Sequence, residues 1–402
     1  MIIYTAASRG MEIIMAKKIL KLIMINIIVL LGLLMFLNFS VIVLYQGYQV
    51  YKNAFSSNNN YNPVALPNYE TIDWAHKHFQ ELDALKSEYR SYIGWRMLAY
   101  QGETININKQ GIRITPQSEL ASQESPLVVF LGGSTMWGYG VDDKNTIPAL
   151  FSEISDGRFR TFNLSAFGYR AFQGYIFLTM QINEGLKPYI IISYDGVNEG
   201  LFGFYSELEA TSTERESQIR SLMKDRDSRE ETHNFLSFRN FFLGPITAFI
   251  TQLKLKYGFI DKEEKENDFY DLSQERTERV ARALLDSWMS TKVLAEENGA
   301  LFMCVLQPNA GVGNPNLEHL GGTTNSKFLE RYRYLYPMIL KLIQHPDYKE
   351  LSNYFIDLSD IFNGNECIYI DYNGHVSPNG NKIVAEVLYE YLQNMIQKRK
   401  EK

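Results

Sequence analysis

The groups in this sequence best suited to chemistry are a serine in a glycine-rich stretch and a histidine far along the chain. Ser134 lies in "FLGGSTMWGYG", directly after the apolar run "LVVF", and His375 lies in "DYNGHVSPNG", four residues after Asp371. A serine hydroxyl attacks a carbonyl only when a positioned base accepts its proton. His375 has the chemistry of that base, and Asp371 that of a carboxylate orienting the ring. A tetrahedral intermediate also needs hydrogen-bond donors for its oxyanion. The backbone N–H of Ser134, the N–H of Gly168 after "NLSAF" and the side-chain amide of Asn198 in "YDGVNEG" can supply them. Together these are the parts for acyl transfer. Taken singly, each has a plainer reading. Ser134 and Gly168 fit turns, Asn198 fits a helix cap or Asx-turn, and His375 fits a surface or cap position. Their order along the chain is what joins them.

That order follows from the elements around them. From Pro126 onward, unbroken apolar runs alternate with amphipathic stretches. "LVVFLG", "FRTFNLS", "YIIISYDG", "ALFMCVLQP" and "YFIDLSDIF" read as strands. The runs lack polar alternation, as expected of parallel strands covered on both faces. Between them lie helical patterns. "NTIPALFSEI" has Asn145 or Thr146 as cap and Pro148 in its first turn. "AFQGYIFLTMQINEG" closes at Gly185. Val280, Leu284 and Trp288 mark an apolar stripe, a further helix covers about 325–344, and "PNGNKIVAEVLYEYLQNMI" ends the domain. Five such alternations predict an α/β three-layer αβα sandwich around a parallel five-stranded sheet. In such a sheet functional groups gather at the carboxyl ends of the strands. Ser134, Gly168 and Asn198 follow strands one, two and three, and Asp371 and His375 precede the final helix. Asp357 and Asp360 read as a strand end and a helix cap.

The same stretches resemble the SGNH hydrolases, the GDSL-type esterase and lipase superfamily. "FLGGSTMWGYGV" is similar to the first block of that family, with Ser134 in the nucleophile place and Gly133 where Asp is usual. "NLSAFGY" is similar to the second, with Gly168 in the oxyanion place. "YDGVNEG" is similar to the Gly-x-Asn-Asp block, with Asn198 matching and Glu199 standing for Asp. "DYNGHVSPNGNKIVAE" is similar to the Asp-x-x-His block, but Asp371 and His375 are four apart, and Tyr372 occupies the position three before the histidine. The resemblance implies a flavodoxin-like SGNH fold over 126–395. It also implies a serine esterase acting on an acyl or acetyl ester, such as one on a carbohydrate or lipid. Relatives acting as O-acetyltransferases imply that alternative. The extra residue between Asp371 and His375, together with the large insertion, leaves room for a degenerate assembly or binding subunit.

The rest of the chain narrows the setting. From Leu22 to Tyr51 no residue is charged, and the mostly aliphatic 22–45 exceeds the roughly 20 residues a bilayer-crossing helix needs. Lys17, Lys18 and Lys21 precede it, while only Lys52 follows before Glu70. That bias puts 1–21 in the cytoplasm and the remainder outside, at the inner membrane. A cleaved signal peptide is the alternative, but the apolar run is longer than usual and no small-residue cleavage site follows. Residues 46–68, uncharged from Asn53 onward, read as a linker, and 69–125 as a lead-in subdomain. In the latter, Trp74, Phe79, Leu82 and Leu85 have helical spacing, and "GETININKQGIRI" suggests a hairpin around Gly111. Residues 201–272, charged and then aromatic, form an insertion or lid. Cys304 sits in an apolar run, and its pairing with Cys367 stays open. With a net charge of −6 and no long basic block, nothing indicates a nucleic-acid partner. No spaced Cys/His cluster or Gly-Lys-Ser/Thr loop indicates a metal or a phosphate-bearing cofactor.

Overall fold

The alternating pattern becomes, in a computed structural model, a parallel sheet with helices on both faces. The structure describes residues 62–206, 209–213, 216, 270–321, 326–364 and 366–401, together with 15, 17–33, 35–37, 39, 40 and 43. Contacts divide the chain into one unit of 62–218 with 268–402 and a second of 1–61 with 219–267.

The first unit begins with α1 (Ala75–Ala84), β1 (Ser87–Arg90), β2 (Gly94–Met97), β3 (Tyr100–Gln101) and β4 (Asn106–Ile107). Then come β5 (Leu127–Gly132), α2 (Ser134–Trp137), α3 (Ile147–Ile154), β6 (Arg160–Asn163), α4 (Ala171–Asn183), β7 (Ile190–Asp195) and α5 (Val197–Phe202). After the insertion follow α6 (Gln274–Glu297), β8 (Leu301–Leu306), α7 (Ser326–Leu342), β9 (Phe355–Asp357) and α8 (Pro378–Lys400). The main sheet runs β6-β5-β7-β8-β9, parallel throughout. The αβα sandwich and five-stranded parallel sheet expected from the sequence are therefore present. α3 and α8 pack together on one face, and α4, α6 and α7 cover the other. Val128 to Leu131 and Ile190 to Ile192 are fully buried, which explains why those runs carry no polar alternation. Thr146, rather than Asn145, caps α3 by accepting the Ala149 N–H.

The order reverses at β5. The chain moves outward to β6, then returns past β5 to β7. This is the topological switch point, where open α/β sheets leave a crevice at the carboxyl ends of their strands. Gly132 pairs with Tyr194 in register, so β5 and β7 end side by side there.

The lead-in departs from its helical reading. The helix stops at Ala84, and "SEYR" pairs antiparallel with "GWRM". Tyr92 and Gly94 both have positive φ, 70° and 85°, and turn the chain between them. The alternation of β2, with Trp95 and Met97 buried, outweighs the helical spacing. The hairpin around Gly111 is present, with an Ile107–Arg113 bridge.

Arg113 fastens this lead-in to the sheet. Its Nε donates to Asp143 at 2.8 Å, and its other nitrogens donate to the carbonyls of Trp137, Gly138, Val141 and Thr104. Its guanidinium also lies 4.3 Å from the Trp137 ring centre. Both ion-pair members are buried, and removing one partner strands the other charge. Arg113→Met is expected to lower unfolding free energy by about 3–5 kcal/mol, read from urea unfolding of the purified chain.

The ends of the insertion are pinned together. Tyr205 and Tyr270 form an antiparallel bridge, and Arg276 donates to the carbonyls of Gly203 and Tyr205. Most of the expected lid 201–272 lies outside the described residues. Cys304 and Cys367 are both free thiols.

In the second unit the helix Lys17–Leu37, 21 residues, is long and apolar enough to cross a membrane. It begins at the lysines and overlaps the expected span 22–45, of which residues 34, 38, 41, 42, 44 and 45 lie outside the described ones. Most of 1–21, and 46–61 of the linker, also lie outside them.

Candidate active site

Ser134 is the first residue of α2, immediately after the end of β5. Gly133 is the helix cap and Gly138 closes the turn at φ 97°, donating to the Ser134 carbonyl. A first-turn position leaves the Ser134 N–H without a main-chain partner in its own helix. The same residue thus presents a hydroxyl and a free N–H at the rim.

His375 arrives from the far edge of the sheet. After β9 the chain forms a tight loop in which Ile370 N–H donates to His375 O at 2.9 Å and Tyr369 bridges Val376. Ser134 Oγ lies 2.7 Å from His375 Nε2, and His375 Nδ1 lies 2.5 Å from Asp371 Oδ2. The four-residue spacing is accommodated by the loop itself. Asp371 Oδ1 accepts the N–H groups of Asn373 at 2.9 Å and His375 at 3.2 Å, while Oδ2 takes the ring. Gly374, at φ 87°, supplies the backbone conformation that side-chain-bearing residues rarely adopt. Asp357 and Asp360 stay apart from this line. Asp357 ends β9 and accepts the Ser359 N–H.

Of the expected oxyanion donors, the Asn198 amide lies against Gly133, the residue before Ser134. Asn198, in the first turn of α5, donates its Nδ2 to Tyr169 O at 2.7 Å. That leaves its second amide hydrogen uncommitted by this bond. The same nitrogen would lie 2.2 Å from a Cβ built on Gly133. This accounts for the glycine before Ser134, because any side chain there displaces the Asn198 amide. Gly133→Ala is therefore expected to lower kcat by about 10²–10³-fold, the usual effect of losing one oxyanion donor, checked by steady-state kinetics on a soluble ester.

Gly168 occupies the loop between β6 and α4 with φ 69°. Its neighbours are held from both sides by the lead-in. Trp95 Nε1 donates to Phe167 O at 2.9 Å, and Tyr169 OH donates to Trp95 O at 2.6 Å. The structure thus joins Ser134, His375 and Asp371 directly, and ties the Gly168 loop to Asn198 through Tyr169.

Several residues of the site escape sequence reasoning. Tyr139, from the "GYG" after Ser134, stacks on the His375 ring with centroids 4.1 Å apart and planes 25° apart. Burial and the Asp371 charge push its phenol up to about 12, so it remains neutral. Phe167 packs edge-on against both Tyr139 and Trp137. An aromatic between two glycines in the serine block was the available signal for Tyr139. Trp95 and Arg113 carried none, because their partners lie far away in sequence.

No family model matches the chain, and no curated protein matches it. Among solved structures, the chain is similar to a carbohydrate acetylesterase family member from Sinorhizobium meliloti (11% identity, 68% of this chain and 99% of that one, TM-score 0.36). It is also similar to a GDSL-like lipase from Bacteroides thetaiotaomicron (10% identity, 69% and 92%, TM-score 0.37). A third is a psychrotrophic esterase from a Pseudoalteromonas species (8% identity, 67% and 98%, TM-score 0.37). At such identities no residue is carried over from them.

Proposed function

We propose that the protein is a serine esterase of SGNH type that cleaves an acyl or acetyl ester. The observation that carries this is the continuous line from Ser134 through His375 to Asp371 at the switch point of the sheet. Ser134 Oγ attacks the ester carbonyl carbon while His375 Nε2 takes its proton. The carbonyl π pair moves onto oxygen, where the N–H groups of Ser134 and Gly168 and the Asn198 amide receive it. Collapse of the intermediate expels the alkoxide, which takes the proton from His375 and leaves as the alcohol. Water then repeats the sequence on the acyl-serine, releasing the acid and restoring Ser134. Asp371 holds the ring with its proton on Nδ1, so that Nε2 is free to act as base.

A carbohydrate ester is the substrate favoured by the surroundings. A cleft of about 400 Å³ borders the histidine loop, lined by Tyr372, Gly311, Gly313, Gly321, Glu318 and Arg333. Its glycine-rich backbone with Glu318 and Arg333 suits a polyhydroxy alcohol, and Tyr372 joins it to the loop that carries His375. The N-terminal helix, with lysines in its first turns, anchors the enzyme with 62–402 outside the inner membrane, facing envelope polymers. The test is hydrolysis of 4-nitrophenyl acetate and of an acetylated oligosaccharide by the full chain in detergent. Acetate release from both supports the proposal. Acetyl transfer to an added sugar in place of release would assign the site to an O-acetyltransferase, and inertness towards both would leave an assembly subunit.

A further inference from the structure

Two of the oxyanion donors come from loops whose strands are not neighbours in the sheet. Gly168 follows β6 and Asn198 follows β7, and β5 lies between these strands. β6 and β7 share no direct ladder, and the main-chain bonds that link the Gly168 loop to β5 end with the Ala166 N–H on the Gly132 carbonyl. Yet donors must sit about 2.7–3.1 Å from the developing oxyanion to stabilise it.

We propose that Glu199 is the positioning residue that sets this spacing, a role that rests on the serine-esterase reading above. Its carboxylate is buried, with 2% of the residue exposed. Oε1 accepts the N–H of Ala171, the first residue of α4, at 2.9 Å. Oε2 accepts the N–H of Gly196, just before α5, also at 2.9 Å. One side chain thus spans the starts of both helices. Ala171 is three residues beyond Gly168, and Gly196 is two before Asn198. The clamp therefore grips each donor loop within three residues of its donor. The Asn198 to Tyr169 bond is the second tie between the same loops.

An arginine lies beside the clamp. Arg170 Nε lies 3.8 Å from Oε1, and both side chains are almost wholly buried. The Arg170 Nη1 continues to the carbonyl of Ser212, on the insertion's first stem. Asp195, the other buried carboxyl nearby, is engaged by Ser193 and Trp288 instead. A glutamine at 199 keeps the shape but presents one N–H₂ where an acceptor is needed. One backbone donor then faces another donor, and the loops must part.

The variants Glu199→Gln and Glu199→Asp test this, each referenced to active sites titrated with a fluorophosphonate burst. Both are expected to lower kcat on 4-nitrophenyl acetate by about 10- to 100-fold, less than the roughly 10²–10³-fold of deleting a donor outright. KM should change little. The Ki of a trifluoromethyl ketone, which forms an oxyanion on the serine, should rise in the same proportion as kcat falls. A merely structural role would lower yield and thermal stability while leaving kcat per titrated site and Ki unchanged, and that result overturns the proposal. Ala171→Pro provides an independent variant should the charge changes fail to fold. Proline is tolerated at a first helical position and removes only the N–H that Glu199 accepts. The same paired change in kcat and Ki is expected, and wild-type values overturn the clamp. Failure of the esterase reading itself would appear earlier and separately, as a wild-type chain that neither titrates nor turns over.

Discussion

His375→Ala is expected to lower kcat on a soluble ester by about 10⁶-fold, and Ser134→Ala by a similar factor. The double variant should be no slower than either alone. The two groups act as a unit: the hydroxyl is a nucleophile only while Nε2, 2.7 Å away, accepts its proton. Once either is gone, the other has nothing left to contribute. The rate that remains should stay above the uncatalysed one, because the donors around Gly133 persist and still receive the oxyanion. Steady-state kinetics on the three variants, with folding checked by circular dichroism, reads this directly. Additive losses would mean that the hydroxyl and the ring act independently.

Asp371→Asn is expected to lower kcat by about 10⁴-fold with little loss of stability. The reason lies in the loop. Oδ1 of Asp371 is committed to the N–H groups of Asn373 and His375, and an asparagine would keep its carbonyl oxygen there. Its amide nitrogen would then face His375 Nδ1. A donor at that position demands the tautomer with Nδ1 bare and the proton on Nε2. Nε2 can no longer accept from Ser134, although every heavy atom remains in place. Asp371→Ala should also be slow, but it additionally frees the loop and should cost stability. A variant Asp371→Asn with near wild-type kcat would remove Asp371 from the mechanism and return the ring's orientation to backbone groups.

Much of the rim was legible in the sequence because its residues sit where strands end. The apolar runs mark β5, β7 and β8 without alternation, and the polar residues directly after them have to lie at one edge. The order of the strands was implied only as far as a parallel, doubly wound sheet implies it. The spacing of Asp371 and His375 looked like a defect from the sequence. In the fold it is a loop in which the carboxylate caps its own turn and Gly374 absorbs the extra residue. Gly133 looked like another departure and is instead the space that the Asn198 amide needs.

What stayed hidden shares one physical feature: its partners are remote in sequence and unrelated to periodicity. Trp95 reaches the Gly168 loop, Arg113 reaches the turn after Ser134, and Glu199 reaches the start of α4. None of these contacts leaves a trace in local composition. The hairpin β1–β2 is hidden because the helical stripe at Trp74, Phe79, Leu82 and Leu85 runs into residues that alternate with period two. The lead-in reads from the sequence as a subdomain packed on the main one, whereas its strand β2 also braces the Gly168 loop.

The most direct test of the central claim is covalent. A fluorophosphonate probe incubated with the folded full-length chain should attach to Ser134 Oγ, located by peptide mass spectrometry. Labelling should vanish in Ser134→Ala and fall sharply in His375→Ala. A folded chain that takes up no probe, or that labels equally well after Ser134→Ala, would contradict a serine nucleophile at this site.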